Sequence, residues 1–369
     1  MKLAIVRQRY TPFGGAERFV ARALDALRAQ GVGVDIVARQ WQGQGVRCDP
    51  FYLGRTWRDW GFARCVQRLI ASNRYDLVQS HERIPGCHIF RAGDGVHATW
   101  LELSGKRFAA LSPWHRYTLA AEAAMFRHPN LKAAICNSHM VADDIARRFP
   151  EAAGKLVVIR NGVDLDYFHP GLRDEHRAAL RAKVGASRTA PVILYVGSGY
   201  QRKGVATLLE ALARMKTGGA EVWIVGRDKA EARYRRLADR LGIATRTRFF
   251  GGVEDVRPFY GAADVFCLPT RYDPLPNAAL EALACGLPVV TTPHCGAAEL
   301  LSPEINGALV PATAHGSLWA PVLERMLARA NEPDAPATAR AAVAAHDLAT
   351  MAGKLLALYD ELGIAALPV

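Results

Sequence analysis

The sequence lacks any apolar run near the roughly 18 residues that a membrane-spanning helix needs. Its seven cysteines include no C-x-x-C pair, so neither disulfides nor a zinc site is indicated, and we expect all of them to be reduced. The opening stretch M-K-L-A-I-V-R is too short for a signal peptide, and Arg7 and Arg9 interrupt it. We therefore expect a cytoplasmic protein with no metal ion and no bound cofactor.

A dinucleotide site is not indicated either. The chain has Gly14 and Gly15 after its first predicted strand, but no G-x-G-x-x-G, and no acidic residue closes the second strand. A Gly-Gly pair can form a simple tight turn. At a strand-to-helix switch, however, its N–H groups can approach a phosphate closely because no Cβ stands in the way.

With 369 residues, half of them hydrophobic and 22% charged, the chain has the composition of a globular protein of two domains. The net charge of +12 is uneven: residues 1–168 hold 24 Lys and Arg against 15 Asp and Glu, and the remainder holds 23 against 20. This excess is typical of a solvated arginine-rich surface. It also fits a first half that meets nucleic acid, acidic lipid or a phosphorylated glycan.

The order of predicted elements gives an α/β protein. Strand 3–7, helix 16–29 and strand 32–38 form the unit of a doubly wound parallel sheet, and residues 42–60 read as a loop with exposed tryptophans. A turn-rich stretch at 161–170 precedes a restart of the pattern at 192. We predict two Rossmann-like domains, at 1–168 and 169–349, whose strand ends face a cleft, with a C-terminal helix at about 350–369 packing back on the first.

Two polar side chains follow a predicted strand at 87–92 in the first domain. Asp94 and His97 lie just past its carboxyl end, where open α/β sheets bind ligands, although the one could cap a turn and the other could be a satisfied core histidine. The next segment, 100–126, mixes cations and aromatics. It reads either as a helix pair with aromatic core residues or as a basic surface at a membrane interface. Its candidate contacts to acceptor or membrane are His97, Lys106, Arg107, Trp114 and Arg116.

In the second domain, Arg202 and Lys203 stand in a glycine-rich loop, 197–204, after its first strand. Adjacent cations beside such a turn suit a diphosphate, and a solvated surface pair is the alternative. If they bind a diphosphate, their charge could replace Mg²⁺ on the leaving group.

The stretch 271–292 places Asp273 in a loop before a predicted helix that starts at Asn277 and Ala278, and carries Glu281 about one turn later. A helix N-terminus offers backbone N–H groups and a positive dipole end to a phosphate or a hydroxyl-rich ligand. With the cations of the 197–204 loop, these residues predict a nucleotide sugar, with Glu281 on the ribose and Asp273 on the hexose.

The whole chain resembles the retaining family 4 glycosyltransferases, which have the two-domain GT-B fold. The motifs that carry this resemblance are F-G-G-A-E, N-G-V-D…F-H-P, V-G-S-G-Y-Q-R-K-G-V, F-G-G-V-E-D-V…Y-G-A-A-D-V-F-C-L-P-T and Y-D-P-L-P-N-A-A-L-E-A-L-A-C-G-L-P-V-V. The last motif is the most specific, since it carries the family's two acids separated by seven residues. H-E-R-I-P-G-C-H-I-F-R-A-G-D is most like the lipopolysaccharide core glucosyltransferases, which add a sugar to inner-core heptose.

The resemblance implies roles for individual residues. Asp273 would contact the donor sugar, Glu281 the ribose and Asp94 the reaction centre. Asp273 stands where relatives more often have Glu, and Asn277 where others have Gly or Val, so we expect these two positions to decide which sugar is transferred. The donor diphosphate and base would be held by Gly15, Arg202, Lys203, the loop at Gly226 and the backbone near Val253. Transfer would retain the anomeric configuration without a protein nucleophile.

The function predicted from the sequence is transfer of a hexose, glucose in the first instance, from a UDP-sugar to a lipid-linked glycan of the lipopolysaccharide core. The enzyme would sit on the anionic inner face of the cytoplasmic membrane and bind no nucleic acid. One alternative is an N-acetylhexosaminyl or other hexosyl transferase of O-antigen, capsule or exopolysaccharide synthesis. Another is a catalytically silent protein that binds a nucleotide sugar or nucleic acid.

Overall fold

A computed structural model describes residues 2–9, 33–40, 45–105, 108–312 and 315–363. Contacts divide the chain into two compact units, Met1–Gly162 with Leu348–Val369, and Val163–Asp347. Each is built around one parallel sheet, as the alternation of predicted strands and helices indicated. The predicted helix at 16–29, together with Gly14 and Gly15, lies outside the described residues.

The first unit has a seven-stranded sheet in the order β3-β2-β1-β4-β5-β6-β7. Its strands are short and mostly apolar on both faces, as expected when helices cover a parallel sheet. The strands are β1 Lys2–Val6, β2 Gly33–Ala38, β3 Val46–Arg47, β4 Leu77–Ser80, β5 Ile89–Arg91, β6 Ala133–Cys136 and β7 Leu156–Val158.

The helices of the first unit include one with a side-chain cap and one that starts where the sequence predicted a loop. Ser138 caps one of them, since its hydroxyl accepts a hydrogen bond from the Val141 amide at 3.3 Å. The described α-helices are α1 Gly54–Ala71, α2 His97–Ser104, α3 Pro113–Phe126, α4 His139–Arg148 and the C-terminal helix Leu348–Glu361. The prediction of a loop through residue 60 was wrong, because α1 starts at Gly54 and buries Phe62 and Val66 against the sheet.

The expectation that all cysteines are reduced was also wrong for one pair. Cys48, just after β3, and Cys65, on α1, form a disulfide with their Cα atoms 5.9 Å apart. The two residues are 17 positions apart and meet only because α1 packs beside the end of β3, so no local motif signals the bond. The other five cysteines are free and buried.

The second unit has a six-stranded parallel sheet in the order β10-β9-β8-β11-β12-β13. Its strands are β8 Val192–Val196, β9 Glu221–Val225, β10 Thr247–Gly251, β11 Val265–Cys267, β12 Val289–Thr291 and β13 Gly307–Leu309. The described α-helices around it are α5 Leu172–Lys183, α6 Val205–Leu212, α7 Glu231–Arg240, α8 Arg257–Ala262, α9 Asn277–Ala284, α10 Gly316–Arg329 and α11 Ala335–Ala341. The alanine-rich sequence of residues 336–362 predicts one helix, but the structure has two there, α11 and the C-terminal helix, which we call α12.

The boundary between the units lies at 162/163 rather than at 168/169. Val163 pairs with Asp347, and Phe168 is buried in the second unit's core, so the turn-rich stretch belongs mainly to the second unit. Helix α12 returns to the first unit and buries Met351 and Leu355 beside its strands.

Candidate active site

The loops after β8, β9 and β11 meet at one edge of the second sheet. Strand order reverses beside β8, which makes this edge the topological switch point where open α/β sheets bind ligands. Gly204 has φ +78°, and a Cβ there would lie 2.0 Å from the carbonyl oxygen of Pro269. Gly226 has φ +131°, and its Cβ would lie 2.2 Å from the carbonyl oxygen of Gly197. Glycine therefore lets the three loops approach each other this closely.

Arg202 and Lys203 converge on Asp273 at this edge. The Arg202 Nη1 and Lys203 Nζ atoms each lie 3.2 Å from Asp273 Oδ2, and Nη1 also donates to the carbonyl of Tyr272 at 2.8 Å. The side chains of Lys203 and Asp273 are only 13% and 10% exposed, so water screens this pair weakly. The structure thus brings together three residues that the sequence predicted for one site. Their roles toward a ligand stay a prediction.

The backbone holds Asp273 in place before helix α9. Its N–H donates to the carbonyl of His294 at 3.0 Å, and its carbonyl accepts from the Gly296 amide at 2.9 Å. Helix α9 then begins at Asn277, as predicted, with Asn277 and Ala278 both half-buried. The first-turn N–H groups of a helix point out along its axis, so this end can receive oxygen atoms of a ligand.

Glu281 lies one turn into α9 and has a partner that the sequence did not reveal. The hydroxyl of Tyr260 donates to Glu281 Oε2 at 2.8 Å and lies 3.1 Å from the carbonyl of Ala278. Tyr260 is buried at the end of α8, 21 positions before Glu281, and only the tertiary fold joins them. This contact fixes the direction of the carboxylate, which suits a group that must meet a specific hydroxyl.

The two backbone segments predicted to hold a nucleobase are neighbours. The Gly226 amide donates to the carbonyl of Gly251 at 2.7 Å, two residues before Val253, and the Tyr200 hydroxyl donates to the carbonyl of Gly226 at 2.7 Å. The side chain of Arg227 covers Gly252. A Cβ added to Gly252 would lie 2.8 Å from the Nε atom of Arg227. Sequence reasoning missed both Tyr200 and Arg227 as parts of this corner.

In the first unit, Asp94 is exposed in the turn between β5 and α2. A buried ion pair holds that turn: Arg83 Nε lies 2.7 Å from Glu122 Oε1, and Arg83 Nη2 donates to the carbonyl of Gly95 at 2.8 Å. Glu122 also accepts from the His97 amide at 2.9 Å. Asp94 therefore projects from a turn whose following residues, Gly95 and His97, are held by this ion pair.

The residues predicted to contact the acceptor or the membrane differ in exposure, and their roles stay a prediction. His97 is 5% exposed, stacks on His115 with ring centroids 5.1 Å apart and meets Trp114 edge-on. The indole N–H of Trp114 donates to Asp59 at 2.7 Å. His97 is thus buried in an aromatic cluster and Trp114 is half-buried in it, because the start of α3 folds over that of α2. Arg116 is exposed, and Lys106 and Arg107 lie outside the described residues.

Glu82 is a candidate that the sequence analysis missed. It follows β4 beside the end of β1, where the strand order of the first sheet reverses, and its Oε1 accepts from the Gln8 amide at 3.0 Å. Burial raises the pKa of this carboxyl to about 7, and the nearby charge of Asp94 adds to the effect. Its place after β4 at the switch point is the signal that could have found it.

Within the described ranges, no group of three or more His, Cys, Asp or Glu side chains is placed to hold a metal ion. In the same part of the chain, no helix is both long and apolar enough to cross a membrane.

The chain has two Rossmann-like domains, each with a parallel sheet and with polar loops at the switch point of its strand order. This is the architecture of the GT-B glycosyltransferases. Comparison with protein families agrees with this class. Residues 13–167 match the model "Glycosyltransferase Family 4", and residues 190–328 match "Glycosyl transferases group 1". The chain belongs to the glycosyltransferases, with a family 4 domain followed by a group 1 domain.

Two proteins similar to this chain are lipopolysaccharide glycosyltransferases. It is 26% identical over 322 residues to the lipopolysaccharide glucosyltransferase WaaG of Escherichia coli, covering 84% of this chain and 85% of that protein. It is 38% identical over 130 residues to the lipopolysaccharide core biosynthesis glycosyltransferase LpsE of Rhizobium meliloti, or 38% of the length of LpsE. A crystal structure of WaaG superposes with a TM-score of 0.84 at 24% identity, over 96% of this chain and 99% of that one. The predicted fold and family resemblance are confirmed.

Proposed function

We propose that this glycosyltransferase moves a hexose from a UDP-sugar to a lipid-linked glycan of the lipopolysaccharide core, and that the hexose is glucose. The observation that carries the proposal is the convergence of Arg202, Lys203 and Asp273 beside the N-terminus of α9. Cations and amides there suit a diphosphate, and carboxylates on either side suit sugar hydroxyls. The relatedness to WaaG supports the choice of glucose and of a core acceptor.

The ion pairs of Arg202 and Lys203 with Asp273 suggest how the site responds when the donor binds. Before the donor binds, Asp273 partly neutralises both cations. A diphosphate carries more negative charge than one carboxylate, so Arg202 and Lys203 turn to it and Asp273 becomes an acceptor for hexose hydroxyls. As the glycosidic bond breaks, negative charge grows on the diphosphate, and Lys203 stabilises it in the place of a metal ion. Glu281, oriented by Tyr260, receives ribose hydroxyls.

The acceptor side of the proposal rests on the first unit. Asp94 is exposed in the turn before α2, beside Gly95, whose carbonyl accepts a hydrogen bond from Arg83, and the family resemblance assigns Asp94 to the reaction centre. We propose attack by the acceptor on the face that the diphosphate leaves, with retention of configuration and without a covalent intermediate. The positive charge of the first half and a lipid-linked acceptor favour work on the inner face of the cytoplasmic membrane.

A donor panel tests the proposal. UDP-, GDP- and ADP-glucose, with UDP-N-acetylglucosamine and UDP-galactose, are compared by thermal shift and by transfer to heptose-containing core lipopolysaccharide. We expect UDP-glucose to stabilise the chain most and to be turned over. Glu281→Ala and Lys203→Ala should each abolish transfer while leaving the unfolding midpoint near that of the wild type.

The panel also separates the rivals. Turnover with UDP-N-acetylglucosamine but not with UDP-glucose would establish the hexosaminyl alternative. Stabilisation by a UDP-sugar without transfer to any glycan acceptor would leave a silent binding protein. Full activity of either alanine variant would refute the site.

A further inference from the structure

Helix α1 and the turn before it expose a set of large apolar side chains in the first unit. Phe51 is 75% exposed and Leu53 67%, while Trp57 and Trp60 are 44% and 48% exposed. Tyr52 completes the set at 38%. These five residues lie within ten positions of the chain, and the rings of Phe51 and Trp57 meet edge-on with their centroids 6.0 Å apart. A monomeric protein rarely exposes an apolar patch of this kind without a use for it.

The helix orders this patch into a face. Trp57, Trp60, Arg64 and Arg68 follow each other at steps of three and four residues, so they cover about 80° of the helix circumference. The opposite side of the helix is buried through Phe62 and Val66. The tryptophans therefore do not serve the core. We call Phe51–Leu53 with these four residues the aromatic–arginine face.

The charge of this region is positive. Arg64 and Arg68 are exposed, and neither forms an ion pair with a described residue; Arg64 stands over the Trp60 ring at 5.8 Å. The two acidic residues of the segment 45–75 are Asp49, after β3, and Asp59, on α1, and both are already in ion pairs with other arginines. Arg39 and Arg47 hold Asp49 at 2.6 and 2.9 Å, and Arg58 holds Asp59 at 2.8 Å. A partner at this face thus meets aromatic rings beside uncompensated guanidinium groups.

We infer that the aromatic–arginine face is the surface through which this protein lies on an anionic lipid bilayer. Tryptophan and tyrosine favour the level of the lipid headgroups, and arginine is attracted to anionic headgroups at the same level. An acidic protein partner would satisfy the arginines but not five exposed apolar side chains. The inference rests on the proposed function, since a lipid-linked acceptor places the substrate in the membrane.

This assignment moves the membrane contact away from the segment 100–126. There, Trp114 is half-buried against His97 and His115, and the Arg55 guanidinium of α1 lies over its ring at 3.4 Å. Phe108 and Leu111, 77% and 76% exposed, are the exposed large apolar side chains in the described part of that segment, and they provide a rival surface for the test.

Vesicle flotation of the full chain, without donor or acceptor, tests the inference. Vesicles of phosphatidylcholine alone are compared with vesicles that also contain phosphatidylglycerol. We expect the wild type to bind only the anionic vesicles, with tryptophan emission shifted to the blue and binding weakened by salt. Two variants probe the face, Trp57→Ser with Trp60→Ser, and Arg64→Gln with Arg68→Gln. Each should bind at least about tenfold more weakly, since every arginine near the surface and every buried ring contributes.

Two controls isolate the face. Leu318→Ser changes a 58% exposed apolar residue of the second unit, and Phe108→Ser with Leu111→Ser removes the rival surface. Both should bind vesicles like the wild type. The inference is overturned if the wild type binds no anionic vesicles, if the tryptophan variant binds fully, or if only the Phe108 and Leu111 variant loses binding. Sedimentation of the wild type as a dimer that the tryptophan variant abolishes, with no vesicle binding, would likewise assign the face to a second copy.

Transfer from UDP-glucose to detergent-solubilised core lipopolysaccharide separates this outcome from failure of the proposed function. The variants of the face should keep that activity and lose activity on acceptor in anionic vesicles. Vesicle binding without transfer would refute the proposed function and leave the membrane surface standing.

Discussion

Replacing Lys203 by methionine removes one charge from the candidate donor site and little else. The methionine keeps most of the aliphatic stem, which lies against Gly197, where an added Cβ would be 3.1 Å from the lysine side chain. The ammonium group 3.2 Å from Asp273 is lost. Arg202 remains 3.2 Å from the same carboxylate oxygen, so the variant does not bury an unpaired negative charge. We therefore expect it to fold.

The expected loss of UDP affinity follows from the change of partner that Lys203 undergoes when the donor binds. A hydrogen bond to a charged group is worth about 1.5–3 kcal/mol, which is about 12- to 150-fold in affinity. Without ligand, Lys203 faces one carboxylate; with a donor, it faces a diphosphate of higher charge and lies in a weakly exposed site. We expect the dissociation constant of UDP to rise by about tenfold or more, and kcat to fall further because charge grows on the leaving group.

Titration calorimetry with UDP and steady-state rates with UDP-glucose measure the two effects. Lys216→Met is the matched control, since Lys216 is exposed on the same unit and away from the loops of the site. It should bind UDP like the wild type. An unchanged UDP affinity in Lys203→Met would refute the assignment of Lys203 to the diphosphate.

Three further predictions follow from single contacts. Tyr260→Phe removes the hydroxyl 2.8 Å from Glu281 and should raise the KM for UDP-glucose about fivefold; an unchanged KM would contradict its orienting role. Gly204→Ala, at φ +78° against a carbonyl, should lower urea stability by about 2 kcal/mol or more, while Gly218→Ala, in open space, should not. Between pH 4.5 and about 7 the folded chain retains a proton on Glu82 that the unfolded chain has lost. The free energy of unfolding should therefore fall as pH rises through that window, and Glu82→Gln should flatten this fall.

Most of the sheet framework could be predicted because its signals are local. Val192–Val196 and Glu221–Val225 are short, mostly apolar runs that each end at a glycine, a pattern that predicts buried strands, and both are strands in the structure. The grouping of Arg202, Lys203 and Asp273 was predictable for a related reason. Loops at the carboxyl ends of neighbouring parallel strands must meet at one edge.

What the sequence hid depends on contacts between distant residues. Tyr260 gives no local sign that it will meet Glu281, and Cys48 gives none that it will meet Cys65. Helix α1 was missed because the tryptophans on its outer face break the polar pattern that marks a helix surface. Trp114 is also set by distant contacts, since it is half-buried against His97 and His115 although it stands among cations in the sequence.

The path of the chain through its two units also sets the order in which a ribosome can complete them. The second unit is one continuous segment, Val163–Asp347, whereas the first needs Leu348–Val369 as well as the beginning of the chain. Helix α12 supplies Met351 and Leu358 to the first unit's core, and the hydroxyl of Tyr359 donates to Gln79 at 2.5 Å. The first unit is therefore synthesised first but completes its fold last. During translation one apolar side of its sheet stays uncovered until α12 is made. A fragment that stops at residue 162 would keep that side open, so an isolated first domain needs α12 fused to it.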